Sequence, residues 1–105
     1  MRPIHLAALD KTRPVLVLTR DLVRPHLTRV TVAPITSTVR GLSTEILVGS
    51  DNGLDRPSVV SCDNVVTIPA GALGRQIGRL LPEQEPFLTA ALHAAFDLED
   101  LPAPR

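Results

Sequence analysis

Three hydroxyl side chains and an arginine follow an apolar, β-prone run in the stretch VTVAPITSTVRG, residues 30–41. These polar residues are Thr36, Ser37, Thr38 and Arg40. A guanidinium group presents a planar fork of N–H donors that matches a phosphate, and hydroxyl groups add further donors and acceptors. The stretch therefore indicates either an ordinary polar turn or the rim of a site that binds an anion.

A second arginine, Arg13, stands directly before the β-prone run PVLVLT of residues 14–19. A proline restricts the preceding residue to extended backbone, so Arg13 is expected at the mouth of a strand. Strands that follow each other in sequence are neighbours in a sheet about two-thirds of the time. If these two strands are neighbours, Arg13 and Thr36 converge at one rim. Ordinary surface residues are the alternative that composition alone leaves open.

The other residue types that carry chemistry do not form a recognisable motif. The three histidines, His5, His26 and His93, are scattered, and none has the spacing of a metal ligand. The single cysteine, Cys62, follows a β-prone run and is expected to be a small core residue rather than a nucleophile. No glycine-rich phosphate loop is present. The sequence therefore predicts no metal site and no cofactor.

Short β-prone runs separated by proline and glycine dominate the first 80 residues, and they predict about six or seven mostly antiparallel strands. The runs cover residues 4–9, 14–19, 29–35, 43–48, 58–62 and 65–68, with residues 74–80 as a weaker candidate. The first two should form a hairpin. Residues 20–27 contain Pro25 and are expected to form a loop with at most one helical turn. Such a series favours a small barrel or sandwich.

The last segment has the period of a helix instead. Apolar residues recur from residue 82 onward at positions that share one side of a helix, namely Phe87, Leu88, Ala91, Leu92, Ala95 and Phe96. Pro82 suits a first helical turn, since its missing N–H is no loss there. The prediction is an α+β fold in which one C-terminal amphipathic helix packs against a β body.

Length and composition predict a single domain over residues 1–105. The core must be aliphatic, because the chain has two phenylalanines and no tryptophan or tyrosine. Residues 1–48 carry seven basic side chains against three acidic ones, whereas residues 81–105 carry one against five. A basic face that meets phosphates is thus compatible with a net charge of zero. A lone cysteine and the lack of a signal peptide or membrane span favour the cytoplasm.

Four motifs in order, RPVLVL, VAPITSTVRG, SVVSCDNVVTI and LGRQIGRL, followed by a terminal helix, resemble the MazF/PemK/Kid toxins of bacterial toxin–antitoxin pairs. The resemblance covers roughly residues 4–98. It implies an SH3-like β-barrel with a C-terminal helix, a homodimer, and a metal-independent endoribonuclease that cuts single-stranded RNA at specific sequences. It also implies inhibition by an acidic MazE-like antitoxin, as the partner in a type II toxin–antitoxin system.

The resemblance also assigns roles to residues. The family's catalytic arginine precedes the proline of the RPV motif, here Arg13, and its catalytic threonine closes the third strand, here Thr36. The residues that the resemblance places on flanking phosphates or bases of the RNA are Ser37, Thr38 and Arg40. Asp63 and Asn64 are expected to contact base edges, with a bulge or turn as the alternative. Attack by the RNA 2′-hydroxyl would give a 2′,3′-cyclic phosphate and a 5′-hydroxyl.

One departure from the family lies at the N-terminus. Members commonly have a longer loop before the Arg-Pro pair, whereas MRPIHLAALDKTRPV leaves only a short turn. Since that loop borders the RNA groove, the groove is expected to be more open, or else the start lies upstream. Two other interpretations are a toxin of the same fold that inhibits a protein such as DNA gyrase, as CcdB does, and a non-catalytic SH3-like module that binds nucleic acid.

Overall fold

The computed structural model describes residues 2–99 and consists of seven strands followed by one helix. The elements, in chain order, are β1 (Pro3–Ala8), β2 (Thr12–Val17), β3 (Arg29–Thr36), β4 (Glu45–Val48), β5 (Ser58–Ser61), β6 (Val66–Pro69), β7 (Leu73–Arg79) and α1 (Glu85–Phe96). The predicted α+β class, the β1–β2 hairpin and the C-terminal helix are confirmed. The weaker candidate, residues 74–80, is also a strand. None of the helical segments in residues 2–99 has the length and apolarity of a transmembrane helix.

The strands form one antiparallel sheet in the order β4-β5-β3-β2-β1-β7, with β6 on a side branch that pairs with β3. The central strand β3 is the longest, and it has three partners because its two halves pair differently. Residues 29–32 pair with β6, whereas Ile35 and Thr36 pair with β5. Within residues 2–99 no ladder joins β7 to β4, so the sheet is not closed and the predicted barrel is only an approximate description.

Both faces of the central strands are buried, because successive side chains alternate between two apolar clusters. On β2, Leu16 belongs to one cluster, while Val15 and Val17 belong to the other. The first cluster also receives the helix residues Leu88 and Ala91. Among the described residues the buried apolar core contains only aliphatic side chains and Cys62, which confirms the prediction of a core without aromatic residues.

The helix α1 packs through a narrower stripe than its apolar pattern predicts. Leu88 and Ala91 are buried, but Phe87 and Phe96 are 63% and 57% exposed, so their assignment to the packed face is wrong. At about 100° per residue, both phenylalanines lie roughly 90° from the centre of the stripe that Leu88, Ala91 and their neighbours one turn on define. Only that central stripe packs against the sheet, so Phe87 and Phe96 remain on the surface.

The turn GSDNGLDRP, residues 49–57, is anchored by a buried amide that the sequence pattern does not reveal. Asn52 is 1% exposed, and its Nδ2 donates to the backbone oxygen of Arg79 at 2.9 Å and to Oε1 of Gln84 at 2.6 Å. Gly53 follows with φ of +84°, and a Cβ there would meet the carbonyl oxygen of Ile77. The turn is therefore held against the end of β7 and the residue before α1. This contact also fixes the position at which the next residues, 54–58, begin.

Candidate active site

Arg13 and Thr36 lie at facing positions on neighbouring strands. The last paired residues of β2 and β3 at this end are Val15 and Pro34, and the register continued by two residues places Arg13 opposite Thr36. Side chains at facing positions of an antiparallel pair are on the same side of the sheet, with Cβ atoms about 4.5–5.5 Å apart. The structure thus brings together the two residues that the sequence singled out, although 22 residues separate them along the chain.

The guanidinium of Arg13 is held by one ion pair and keeps free donors. Its Nη2 donates to Oδ2 of Asp10 at 2.8 Å, across the tight β1–β2 turn. The Arg13 side chain is 23% exposed, and its buried Nε has no hydrogen-bond partner among the residues that the structure describes. A guanidinium has five N–H donors, so the pair with Asp10 leaves most of the fork for an incoming anion.

Asp10 remains ionised beside this arginine. Desolvation would raise the pKa of its carboxyl group, but hydrogen bonds from the backbone N–H groups of Lys11 and of Asp10 itself, with the charge of Arg13, outweigh it. The net result is a pKa below the ordinary value of 3.8. Asp10 is not among the residues predicted from the sequence for this site. The sequence did contain an indication of this pair, because the carboxylate of an acid three residues before an arginine can reach the guanidinium across a tight turn.

Thr36 closes β3 and keeps its hydroxyl proton available. Its Oγ1 accepts a hydrogen bond from the backbone N–H of Thr38 at 3.1 Å. The residue is half-buried, and the structure shows no acceptor for its own O–H among residues 2–99. Because this hydrogen bond uses a lone pair of Oγ1, the O–H of Thr36 can still donate to an oxygen of a phosphate bound at the site.

A cavity of about 690 Å³ opens beside this pair. Its lining residues are Leu9, Asp10, Arg13, Pro34, Thr36, Thr38, Arg40, Leu42, Glu45, Ser61, Asp63, Asn64 and Val66. Six of the seven residues that the sequence analysis assigned to the site are among them. The seventh, Ser37, faces elsewhere.

The loop that carries Arg40 is anchored by Glu45. A single carboxylate oxygen, Oε1 of Glu45, accepts the backbone N–H groups of Arg40 at 3.2 Å, Gly41 at 2.8 Å and Leu42 at 3.1 Å. Gly41 has a φ of +75°, which helps three consecutive N–H groups converge on one anion. Glu45 is a second residue that sequence reasoning missed. The guanidinium of Arg40 itself has no partner in the described part of the chain.

Asp63 and Asn64 lie on a 3₁₀ turn, Cys62–Asn64, between β5 and β6. The hydroxyl of Thr44 donates to Oδ2 of Asp63 at 2.6 Å, and Nδ2 of Asn64 donates to Oγ of Ser61 at 2.8 Å. Both side chains are thereby oriented while one oxygen of each stays open as an acceptor. The two residues thus form a turn, which was the alternative expectation. Their exposed side chains also line the larger cavity, so the turn does not remove them from the site.

A second cavity of about 270 Å³ lies against the same pair of residues. Its lining residues are Lys11, Thr12, Arg13, Pro14, Ile35, Thr36, Ser37, Leu54, Asp55, Arg56 and Ser58. Of the described residues, only Arg13 and Thr36 line both cavities. Ser37, predicted beside Thr38 at one rim, belongs to this second cavity.

Cys62 and the histidines offer no reactive group at the site. Burial, and to a lesser degree the carboxylate of Asp63, raises the pKa of the Cys62 thiol to about 11, so it is protonated at neutral pH. Nδ1 of His5 lies 2.9 Å from the carbonyl oxygen of Gly74, away from both cavities. Within residues 2–99, no three His, Cys, Asp or Glu side chains are grouped as metal ligands.

Comparison with known proteins gives consistent matches over nearly the whole chain. A family model described as PemK-like, MazF-like toxin of type II toxin–antitoxin system matches residues 5–96. Endoribonuclease MazF3 of Mycobacterium tuberculosis (strain H37Rv) is 69% identical over 99 residues, which cover 94% of this chain and 96% of that protein.

Solved structures show the same fold. The Mycobacterium tuberculosis toxin MazF-mt6 aligns with a TM-score of 0.92 and 68% identity, over 93% of this chain and 99% of that one. An endoribonuclease from a mycobacterial species, solved in complex with its cognate antitoxin, aligns with a TM-score of 0.81 over 97% and 95% of the two chains. At 24% identity, this second likeness is one of fold.

Proposed function

The chain belongs to the PemK-like, MazF-like family of type II toxins and is an endoribonuclease, and we propose that it cleaves single-stranded RNA at the Arg13–Thr36 pair. The observation that carries the proposal is their facing position on β2 and β3, at the shared wall of two cavities. Within the described residues, no nucleophilic side chain is activated there. The nucleophile in this proposal is the RNA 2′-hydroxyl, as the resemblance to the toxin family implies.

The reaction then proceeds by in-line attack within the RNA. The 2′-hydroxyl gives up its proton as its oxygen forms a bond to the adjacent phosphorus. The bond from phosphorus to the 5′-oxygen of the next nucleotide breaks, and that oxygen takes up a proton, so the step is balanced overall. The products are a 2′,3′-cyclic phosphate and a 5′-hydroxyl. The free N–H groups of Arg13 and the O–H of Thr36 donate to the non-bridging oxygens, whose negative charge grows in the transition state.

Asp10 supports this step by positioning the guanidinium of Arg13. Its ion pair with Arg13 fixes the guanidinium over the rim, so the donors are already aimed when the phosphate arrives. Arg13 is an unsuitable general base, because a guanidinium group offers only N–H donors and no acceptor for a proton. Its contribution is charge stabilisation and orientation.

The larger cavity recognises the RNA around the scissile phosphate. Arg40 and Thr38 hold flanking phosphates or bases, and the open oxygens of Asp63 and Asn64 accept from N–H groups on base edges. Ser37 contacts the same RNA strand from the smaller cavity. Sequence specificity follows from these contacts, since phosphate contacts alone carry no sequence information.

The partners follow from the family and the surface. A second copy of the chain is expected to cover part of the exposed apolar surface, of which Leu47, Phe87 and Phe96 are examples. An acidic MazE-like antitoxin segment is expected to compete with RNA for Arg13 and Arg40, and its affinity should fall as salt rises. Both the toxin and this antitoxin would act in the cytoplasm.

The test is incubation of purified protein with a long RNA, followed by mapping of the new 5′ ends. The proposal predicts cuts at a recurrent short sequence, with 5′-hydroxyl ends that a polynucleotide kinase labels without prior phosphatase treatment. Activity should persist in EDTA, because the nucleophile is part of the substrate and needs no metal-bound water. Binding of RNA without any product would contradict the proposal, as would cleavage with 5′-phosphate ends.

A further inference from the structure

The alternation of side chains along the end of β3 divides the site into two sides. Thr36 and Thr38 line the larger cavity together with Pro34, whereas Ile35 and Ser37 line the smaller one. This is the period of two that an extended chain imposes. Thr36, at the rim, touches both cavities, as does Arg13 across from it. A phosphate held by these two residues therefore has a cavity on either side.

The smaller cavity carries charged side chains that the fold itself does not use. Lys11 comes from the β1–β2 turn, and Asp55 and Arg56 come from the segment after the turn that Asn52 anchors. None of these three side chains forms an ion pair or a side-chain hydrogen bond within residues 2–99. Leu54, which is 8% exposed, supplies an apolar wall. Two cations, one carboxylate and an apolar surface are the groups that bind a nucleotide's phosphate and base.

The size of the cavity limits the ligand. At about 270 Å³ it is slightly smaller than the roughly 300–1,000 Å³ typical of sites for drug-sized molecules, so it suits about one nucleotide. We propose that the smaller cavity is a nucleotide subsite, which holds the nucleotide on the opposite side of the scissile phosphate from the bases in the larger cavity. This inference rests on the proposed function, because it takes the phosphate between Arg13 and Thr36 as given.

The roles within the subsite follow from chemistry. Lys11 and Arg56 contact the next phosphate along the strand, which increases affinity for any sequence. The carboxylate of Asp55 accepts from N–H groups of the base, so it selects among bases at one position. The larger cavity selects at positions on the other side, through Asp63 and Asn64.

The experiment uses the full-length protein and an RNA with randomised segments on both sides of a fixed core that it cleaves. Base frequencies around the cut are read by sequencing the product ends for the wild type, Asp55→Asn and Asn64→Ala. Asp55→Asn replaces an acceptor oxygen by a donor of the same size, and it is expected to change the preference about tenfold at one position. Asn64→Ala should change it only on the opposite side of the cut.

Arg56→Ala tests the phosphate contact, and Arg29→Ala is its matched control. Arg29 is an exposed arginine at the other end of β3, seven residues or roughly 23 Å from Thr36. Arg56→Ala should raise KM about tenfold without lowering kcat, and it should reduce the salt slope of RNA binding by about 0.7. Arg29→Ala should change neither quantity.

Two results would overturn the subsite while the proposed function stands. One is an unchanged base pattern in Asp55→Asn together with an Arg56→Ala effect no larger than that of Arg29→Ala. The other is a pattern that changes on both sides of the cut in Asp55→Asn, since that would indicate a general disturbance. A wild-type protein that makes no cut in any RNA would overturn the proposed function, and the subsite with it.

Discussion

Arg13 and Thr36 face each other across β2 and β3, two residues beyond the last paired positions, Val15 and Pro34. The strands that carry them are buried on both faces, so their ends are fixed by the core rather than by a flexible loop. A site placed on rigid strands needs little reorganisation when the phosphate binds. This relationship is the basis of the proposed catalysis, and the groups around it can be tested one at a time.

Asp10 is expected to act through Arg13. Asp10→Ala should lower kcat about tenfold and leave KM nearly unchanged, because the guanidinium loses its fixed orientation. Asp10→Asn, which keeps an acceptor oxygen, should retain most of the activity. Steady-state cleavage of a fluorescent RNA measures both.

The matched control is Asp21→Asn, which alters a similar Asp–Arg pair with Arg24, at 3.7 Å and outside both cavities. Because the pKa of Asp10 lies below 3.8, its carboxylate is ionised throughout the range from pH 5 to 8. The activity ratio of wild type to Asp10→Ala should thus be constant over that range. A ratio that collapses towards one as pH falls to 5 would contradict this role.

Glu45 is expected to position the loop of Arg40. Glu45→Ala removes the acceptor for three backbone N–H groups and should raise KM about tenfold with a smaller change in kcat. Glu45→Gln still offers a carbonyl oxygen and should restore most of the affinity. Combining Glu45→Ala with Arg40→Ala should cost little more than Arg40→Ala alone, since both act through one contact. Full additivity in that double-mutant cycle would refute the role.

Cys62 gives a stability prediction at high pH. Its pKa is raised from 9.0 to about 11 by burial first and Asp63 second, so the folded state keeps the proton after the unfolded state has lost it. This contribution is complete below about pH 9 and is lost as pH rises towards 11, at about 1.4 kcal/mol of unfolding free energy per pH unit. Urea unfolding of wild type and Cys62→Ala from pH 8 to 11 should show a steeper fall for the wild type. Parallel slopes would contradict the assignment.

Self-association is expected from the exposed apolar side chains. Light scattering at tens of micromolar should give twice the 11.3 kDa mass of the chain. Substitution of Phe87 or Phe96 by serine should shift the mass towards the monomer if the helix surface takes part, and leave the fold intact because both side chains are more than half exposed. A strictly monomeric wild type would contradict the prediction.

The sequence predicts the fold class, the hairpin and the terminal helix because these depend on local periodicity and on turn residues. The proximity of Arg13 and Thr36 was also predictable, since it needed only that consecutive strands pair. Side-chain hydrogen bonds between residues far apart in the chain, such as those of Asn52 to Arg79 and Gln84, have no periodic signal. The same is true of the open sheet and of the stripe on α1 that excludes Phe87, because both depend on how tightly elements pack.

The contacts of Asp10 and Glu45 lie between these two cases. Each hydrogen bond joins residues only three to five positions apart, but the carboxylate could equally face solvent. Whether it accepts the hydrogen bond depends on the geometry of the loop. Ser37 and Thr38 illustrate the same limit, because adjacent residues on an extended strand point to opposite sides. Strand periodicity would have separated them if β3 had been predicted to continue beyond Ile35.

The cleavage rate of Arg13→Ala on one RNA with a mapped cut, with Arg13→Lys and Thr36→Ala in parallel, decides whether this pair of residues performs the reaction. Each alanine variant should lose at least about 100-fold in kcat, the loss typical of one transition-state donor, while its unfolding free energy changes by only about 0.5 kcal/mol. Arg13→Lys should also be impaired, because a point charge cannot replace the planar fork. Near-normal cleavage by folded Arg13→Ala protein would show that Arg13 does not stabilise the transition state.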